Sequence, residues 1–200
     1  MKRLAVLVSN AGTGSNLQAI IQAIKTQELK AEIILVVSDG EDASGLKRAQ
    51  ENNILTLVIN SSDNLLKILQ EKNVDYICLA GWKQIISDEM LDKFKNRILN
   101  IHPGLIPDSL DGVVKNPDGS EGLWNKGKFT NIAIQNFFDQ HATYAGSTVH
   151  FLSKEFDFGK VLKRCFVKIE KEDNVDSLYQ KLKVEENKIY VEALIQLCNE

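Results

Sequence analysis

The sequence is poor in the residues that mark specialised classes of protein. Among its 200 residues it has three Pro, three Cys and three His, and 24 Lys and Arg against 27 Asp and Glu. The composition is 44% hydrophobic and 26% charged residues. Together with the low proline content, it excludes a disordered or fibrous chain. A net charge of -3 leaves no basic excess to neutralise phosphates, which argues against a general nucleic-acid or membrane surface. A small anionic ligand, held locally, is compatible with this composition.

Two further absences concern cysteine and targeting segments. Cys78, Cys165 and Cys198 are odd in number and widely spaced, without a CxxC pair or a nearby His. We therefore expect buried thiols, with neither a disulfide framework nor a metal site. The apolar run after Met1 is shorter than a signal-peptide core and leads directly into a Gly-rich turn. These features predict a cytoplasmic protein whose residues 1–200 form one domain, without room for a second catalytic or RNA-binding domain.

Apolar β-rich runs alternate with helical patterns through the first half of the chain. The predicted strands are 4–8, 32–37, 56–59, 75–79 and 97–101, and the predicted helices are 16–24, 43–52, 63–71 and 87–95. This alternation is typical of a parallel sheet, and nearly unbroken Val, Ile and Leu runs are typical of strands covered on both faces. The sequence therefore predicts an α/β fold with a Rossmann-like, doubly wound, mostly parallel sheet.

The second half of the chain changes character. Residues 103–128 are rich in Pro, Gly, Asp and Asn, which predicts a long loop insertion or lid. A helix at 131–140, antiparallel late strands at 147–152 and 161–169, and a last helix at 175–197 follow. In open α/β sheets, ligands bind at the carboxyl ends of the strands, so the loops after Val8, Leu79 and Ile101 are the places to look for chemistry.

The segment 10–18 follows the first strand and opens the first helix. Its glycines allow close approach of an anion, and the amides of Gly14, Ser15 and Asn16 at a helix N-terminus favour a phosphate. The segment is neither a Walker loop nor a complete GxGxxG. A plain strand-to-helix turn with Ser15 or Asn16 as N-cap is the alternative interpretation.

Asn100 and His102 lie at the end of a predicted inner strand, where alternation places both side chains on one side. An amide can donate to a developing oxyanion, and an imidazole moves protons near neutral pH. A purely structural His is the alternative.

His150 and Asp157 are expected around the turn between the late strands, where a carboxylate would raise the pKa of His102 and hold a water. Asp157 is otherwise a turn former.

Taken together, these segments resemble the phosphoribosylglycinamide formyltransferase family, also called glycinamide ribonucleotide transformylase, of the folate-dependent formyltransferase superfamily. The similarity runs in order through residues 12–20, 79–82, 100–107, 146–151, 157–159 and 185–190. The Asn-x-His-Pro element with its downstream Asp is typical of the superfamily. The GTGSNLQAI loop is typical of the glycinamide ribonucleotide branch.

The resemblance implies a role for each motif. The implied catalytic residues are Asn100, His102 and Asp157. The residues implied for phosphoribosylglycinamide are Gly12, Thr13, Gly14, Ser15 and Asn16, of which the last three hold the phosphate, and Glu186 at the amine end. The residues implied for the cosubstrate 10-formyltetrahydrofolate are Lys83, Gln84, Ile85 and Ile86, with Asn100 and Asp157. The resemblance further implies an enzyme of de novo purine biosynthesis that uses small molecules and no metal, as a monomer or homodimer.

Several positions depart from the family pattern or have a plainer interpretation. Gly104 replaces the usual Ser after His-Pro, Gln84 replaces an Arg, and the segment 108–128 stands where the family has an aromatic-Pro-Gly stretch with further His. That segment is expected to be a lid or a plain surface loop, and the residues it would offer as a lid are Lys115, Trp124, Lys126 and Lys128. Glu186 has a solvent-facing helix position as its alternative, and residues 83–86 could simply begin the next helix.

Two other functions stay open on the sequence alone. One is a formyltransferase that acts on another amine, such as an amino sugar nucleotide. The other is a noncatalytic nucleotide- or folate-binding protein that keeps the fold.

Overall fold

The computed structural model describes residues 1–59 and 64–199. In the first half its elements are β1 (Lys2–Val8), α1 (Ser15–Lys25), β2 (Ala31–Ser38), α2 (Ser44–Glu51), β3 (Thr56–Val58), α3 (Leu65–Glu71), β4 (Tyr76–Ala80), α4 (Asp88–Lys93) and β5 (Ile98–His102). They are followed by α5 (Thr130–Asp139), β6 (Tyr144–Phe151), β7 (Val161–Lys168) and α6 (Val175–Cys198).

These strands form a seven-stranded sheet in the order β3-β2-β1-β4-β5-β6-β7. The first five strands pair in parallel, whereas β6 and β7 pair antiparallel. The prediction of a mostly parallel sheet with antiparallel late strands is confirmed. The chain reverses its direction of winding between β1 and β4, so Val8 and Ala80 end beside a crevice of the kind that binds ligands.

Helices cover both faces of the sheet, which explains the unbroken apolar runs. Leu4 and Val6 of β1 are buried on the face that packs against α1, α2, α5 and α6. Ala5 and Leu7 point to the opposite face, against α3 and α4. Because successive side chains of a strand alternate between faces, both sets of residues must be apolar.

Element ends differ from the predictions by a few residues, for local reasons. Helix α4 begins at Asp88 because the Ser87 hydroxyl accepts a hydrogen bond from the amide of Met90. Strand β6 begins at Tyr144, which pairs with Lys168 of β7. The predicted helix 63–71 appears as α3, and position 63 lies outside the described residues.

The segment between β5 and α5 is a long loop, as predicted, with one isolated bridge from Lys115 to Glu121. Arg164 of β7 anchors it through two hydrogen bonds to the carbonyl of Ile106, 2.9 and 2.6 Å long, and one of 2.8 Å to Asp108. The loop then returns to the carboxyl end of β5. Across the described ranges, every helix is too short or too polar to cross a bilayer.

Candidate active site

The loop between β1 and α1 and the first turn of α1 carry the five residues predicted to bind the acceptor, of which Gly14, Ser15 and Asn16 are those predicted for its phosphate. Gly14 is the N-cap of α1, with φ 69° and ψ 18°, and no side chain caps the first turn. The interpretation with Ser15 or Asn16 as N-cap is therefore wrong. The amides that open an α-helix have no partner within the helix, so they are available to an anion.

Two side chains of this loop present oxygen atoms without a partner. The Asn16 side chain is 3% exposed, and its Oδ1 atom makes no hydrogen bond, as is also true of Ser15 Oγ. A buried polar atom left unpaired costs about 1–3 kcal/mol. The Ser15 hydroxyl can donate to an anion, whereas Asn16 Oδ1 can only accept and would need a donor. Arg48 of α2, which the sequence did not single out, donates to the carbonyl of Thr13 over 3.3 Å and to Gln18 over 3.0 Å. Its guanidinium adds positive charge beside the loop.

Asn100 lies on β5 directly opposite His150 on β6. His150 is the last residue but one of β6, beside the turn that leads to β7, and is completely buried. Its Nδ1 atom donates to the carbonyl of Phe151 over 3.1 Å. Burial, the charge of His102 and, in the opposite sense, the Phe151 carbonyl set its pKa, which falls to about 3. His150 is therefore neutral near pH 7.

A neutral His150 that donates through Nδ1 presents a lone pair on Nε2. The Asn100 Nδ2 atom lies 3.3 Å from that nitrogen and donates to it. An amide NH₂ group has two N–H bonds, so one is fixed on His150 and the other is available to a substrate oxygen. Because Nε2 of the neutral His150 ring can only accept, the end of the Asn100 amide that faces it must be the NH₂ group.

His102 and Asp157 meet at the carboxyl end of β5. His102 Nδ1 lies 3.6 Å from Asp157 Oδ1, with the two side chains 3% and 16% exposed. Burial lowers the pKa of His102, and the charge of Asp157, the carbonyl of Trp124 and the charge of Glu186 act in the opposite direction. Asp157 itself has φ 46°, in the left-handed region that residues other than Gly seldom adopt. The structure thus brings all three predicted catalytic residues to one region.

Trp124 and Gly127 of the insertion also contact this region. His102 Nε2 lies 2.7 Å from the carbonyl oxygen of Trp124, and the amide of Gly127 donates to Asp157 Oδ2 over 2.8 Å. The indole N–H of Trp124 donates to the main-chain carbonyl of Asp157 over 3.0 Å. The insertion is therefore part of the site, although Lys115 pairs with Glu121 away from it.

Glu186 lies on the inner face of α6 and is 4% exposed, so the solvent-facing interpretation is wrong. Its Oε1 accepts from Ser147 Oγ and its Oε2 from Lys183 Nζ, each over 2.7 Å. Its partner Ser147 precedes Thr148, which pairs with His102 of β5, so Glu186 lies near the same end of the sheet. The carboxylate is thus held between two elements, with Lys183 as a neighbour that the sequence did not reveal.

Residues 83–86 form the loop between β4 and α4, and do not begin the helix. Ile86 is buried, whereas Ile85 is 88% exposed. Phe156, in the loop 153–157 between β6 and β7, is also largely exposed. Exposed apolar residues on two neighbouring loops are suited to a flat aromatic ligand.

The arrangement combines three chemical capacities. Asn100 offers an oriented N–H donor, and His102 offers an imidazole beside the carboxylate of Asp157. The loop before α1 offers amides to an anion. A site of this kind can stabilise an oxyanion, move a proton and hold a phosphate at a fixed distance from the reacting atoms. Across the described ranges, no group of three or more His, Cys, Asp or Glu side chains is arranged to bind a metal.

A doubly wound sheet with polar side chains gathered at the carboxyl ends of β1 and β5 defines an α/β protein that binds small ligands there. Comparison with known proteins specifies the family. The family model described as formyl transferase matches residues 2–194. The chain belongs to the formyl transferase family.

Individual relatives agree with this membership. The chain is 32% identical to an Arabidopsis thaliana protein named phosphoribosylglycinamide formyltransferase, chloroplastic, over all of the chain and 66% of that protein. It is 33% identical to the Bos taurus trifunctional purine biosynthetic protein adenosine-3, over 96% of the chain and 18% of that protein. The chain thus spans less than two thirds of these curated relatives.

A solved structure agrees in fold. The crystal structure of glycinamide ribonucleotide transformylase 1 from Symbiobacterium toebii matches with a TM-score of 0.79 and 32% identity, over 97% of this chain and 86% of that one.

Proposed function

We propose that the protein transfers the formyl group of 10-formyltetrahydrofolate to the amine of 5'-phosphoribosylglycinamide, a step of de novo purine biosynthesis. The observation that carries the proposal is the convergence of Asn100, His102 and Asp157 beside a helix N-terminus that is open to phosphate. The names of the relatives, which are glycinamide ribonucleotide transformylases and purine biosynthetic proteins, support the choice of acceptor.

The acceptor would bind along the edge between the first loop and α6. Gly12, Thr13, Gly14, Ser15 and Asn16 would lie along the acceptor, and the main-chain amides of the last three, with the unpaired hydroxyl of Ser15, would donate to its phosphate. Glu186, at the other end, would accept hydrogen bonds from the polar groups near the amine. Its position between Ser147 and Lys183 fixes the carboxylate before the acceptor arrives.

The donor would bind on the opposite side of the reaction centre. Lys83, Gln84, Ile85 and Ile86 would contact the pterin through main-chain groups and apolar packing, and the loop 153–157 would cover it. The exposed side chains of Ile85 and Phe156 support this assignment, because a bound ring would remove both from water. Asn100 and Asp157 would border the formyl group.

The reaction forms one bond and breaks one bond. The acceptor amine attacks the formyl carbon, the carbonyl oxygen gains negative charge, and the bond from that carbon to the folate nitrogen then breaks. The free N–H of Asn100 and the imidazole of His102 stabilise the oxyanion. The amine loses a proton and the departing folate nitrogen gains one, and His102 or a water held by Asp157 carries it. No step of this scheme calls for a metal ion. We further propose that the enzyme is cytoplasmic, acts on small molecules, and is a monomer or a homodimer.

The test measures formyl transfer from 10-formyltetrahydrofolate to 5'-phosphoribosylglycinamide, beside an amino sugar nucleotide and simple amines. Asn100→Ala and His102→Ala should bind both ligands in calorimetry and lose about 10²- to 10³-fold in kcat, the usual cost of one oxyanion donor. Faster transfer to the amino sugar nucleotide than to 5'-phosphoribosylglycinamide would show that the amino sugar nucleotide is the acceptor instead. Ligand binding without transfer to any amine would leave a noncatalytic binding protein.

A further inference from the structure

The insertion holds His102 by the nitrogen that does not face Asp157. We name residues 123–128 the clasp. Its Trp124 carbonyl lies 2.7 Å from His102 Nε2, and its Gly127 amide donates to Asp157 Oδ2 over 2.8 Å. The indole of Trp124 reaches the main-chain carbonyl of Asp157 and packs against Phe158, with the two ring centroids 5.9 Å apart. One residue, Trp124, thus joins the strand that carries His102 to the loop that carries Asp157.

The absence of a side chain at Gly104 leaves room for the Trp124 carbonyl at this position. A Cβ atom on Gly104 would lie 1.9 Å from the Trp124 oxygen and 2.6 Å from its carbonyl carbon, far inside contact distance. Any side chain at position 104 would therefore push the clasp away from His102. The Gly that replaces the expected Ser and the insertion that follows it are one structural feature, because the first makes room for the second.

The contact with Trp124 decides where His102 carries its proton. A carbonyl oxygen only accepts hydrogen bonds, so Nε2 must be protonated in the neutral and in the charged ring. The gap of 3.6 Å between Nδ1 and Asp157 Oδ1 is longer than a hydrogen bond. When the ring is charged, its Nδ1–H is therefore not committed to Asp157 and can turn to a third acceptor, such as an oxygen of the substrate.

We propose that Trp124 is a positioning residue of the reaction centre, whose main-chain carbonyl fixes the proton of His102 on Nε2 and directs Nδ1 towards Asp157 and the reacting atoms. The effect on the reaction rests on the proposed formyl transfer, whereas the position of the proton does not. The charged and titratable groups that face His102 are Asp157 from the late loop, His150 from β6, and Glu186 from α6 with its partner Lys183.

The first experiment moves the carbonyl without touching either catalytic side chain. In Gly104→Ala the new methyl group displaces Trp124, and kcat should fall about tenfold or more, the worth of a hydrogen bond to a charged group, with KM for both substrates within about twofold. The limb of the kcat profile that requires charged His102 should move to lower pH.

Two variants control for indirect effects. Gly119→Ala makes the same substitution elsewhere in the insertion, where a Cβ meets no atom within 4 Å but the backbone has φ 84°. It therefore controls for strain in the insertion, and should lower stability while keeping the wild-type pH profile. Trp124→Phe keeps the carbonyl and an aromatic ring but loses the indole N–H, so it should retain more activity than Trp124→Ala. Equal kcat and equal pH profiles in Gly104→Ala and Gly119→Ala would overturn the proposal.

The second experiment does not depend on activity or on the variants folding. Nitrogen-15 labelling of the three histidines allows the tautomer of His102 in the wild-type protein to be determined by NMR. We expect the neutral ring to be protonated on Nε2, with that proton protected from exchange with water. A neutral ring protonated on Nδ1, or an Nε2 proton that exchanges freely, would refute the assignment even if formyl transfer is observed. The expected result would uphold it even if formyl transfer is not.

Discussion

Replacing Asp157 with Asn removes the charge beside His102 and preserves the shape of the side chain. The amide oxygen of Asn can still accept the hydrogen bond from Gly127. Two unit charges 3.6 Å apart attract each other by about 4–5 kcal/mol at an effective dielectric constant near 20. Asp157 is partly exposed, so water screens part of this attraction, and we take about half, or about 2 kcal/mol, as the loss in stabilisation of charged His102.

The sign of the effect follows from the charge. The carboxylate raises the pKa of His102, so its removal lowers that pKa and the imidazolium forms only at lower pH. A loss of about 2 kcal/mol corresponds to a fall of about 30-fold in kcat/KM at neutral pH if the charged ring stabilises the transition state. The pH profile of kcat/KM should also shift its alkaline limb, along which charged His102 loses its proton, to lower pH.

The assay is initial-rate formyl transfer from pH 5 to 9, with ligand binding measured in parallel. Asp92→Asn is the matched control, because Asp92 is a carboxylate that pairs with Lys154 of the same loop at an exposed position. The control should behave as wild type. An Asp157→Asn enzyme with wild-type rate and wild-type pH profile would refute the role of the carboxylate.

Three further predictions concern stability and the acceptor. The pKa of His150 falls to about 3 on folding, so the unfolded state binds more protons than the folded state from about pH 6.5 down to that value. Unfolding free energy should decrease by up to about 1.4 kcal/mol per pH unit in this window, and urea titrations of His150→Gln should show a smaller decrease. Asn16→Ala removes a buried oxygen that has no partner, so the unliganded protein should be no less stable in urea. The same variant also removes the Nδ2 group, the only part of the Asn16 side chain that can donate to a phosphate, so KM for the phosphorylated acceptor should rise about tenfold, and unchanged KM would contradict a side-chain contact to the phosphate. Gly159→Ala would place a Cβ 2.0 Å from the Phe151 carbonyl at φ 153°, and should lower the melting temperature and displace the loop of Asp157, whereas wild-type stability and rate would contradict that strain.

The fold was largely predictable because its signals are local. Each strand of the first half is a short run of apolar residues that must be buried on both faces, and the covering helices show apolar residues at helical spacing. The errors lie at element ends. Tyr144 belongs to β6 because it pairs with Lys168, and no local pattern reveals a partner 24 positions away.

The candidate site was predictable only where side chains share a strand or follow a motif. Alternation placed Asn100 and His102 together, and the Gly-rich turn placed the phosphate loop at a helix N-terminus. The partners of His150 were not predictable, because they are a main-chain carbonyl and an amide on another strand. Glu186 gave no signal of burial, since Ser147 and Lys183 meet it only in the folded chain.

Main-chain groups account for the part of the site that sequence could not reveal. Every residue has a carbonyl and, except for Pro, an amide, so residue type does not show which of them will contact a catalytic side chain. The Trp124 carbonyl and the Gly127 amide become recognisable only once the insertion is seen against β5. What the sequence does contain is the consequence: a Gly at position 104, where any Cβ would collide with that carbonyl. A small residue beside a catalytic motif, combined with a downstream insertion, is therefore a reason to look for main-chain contacts to the motif.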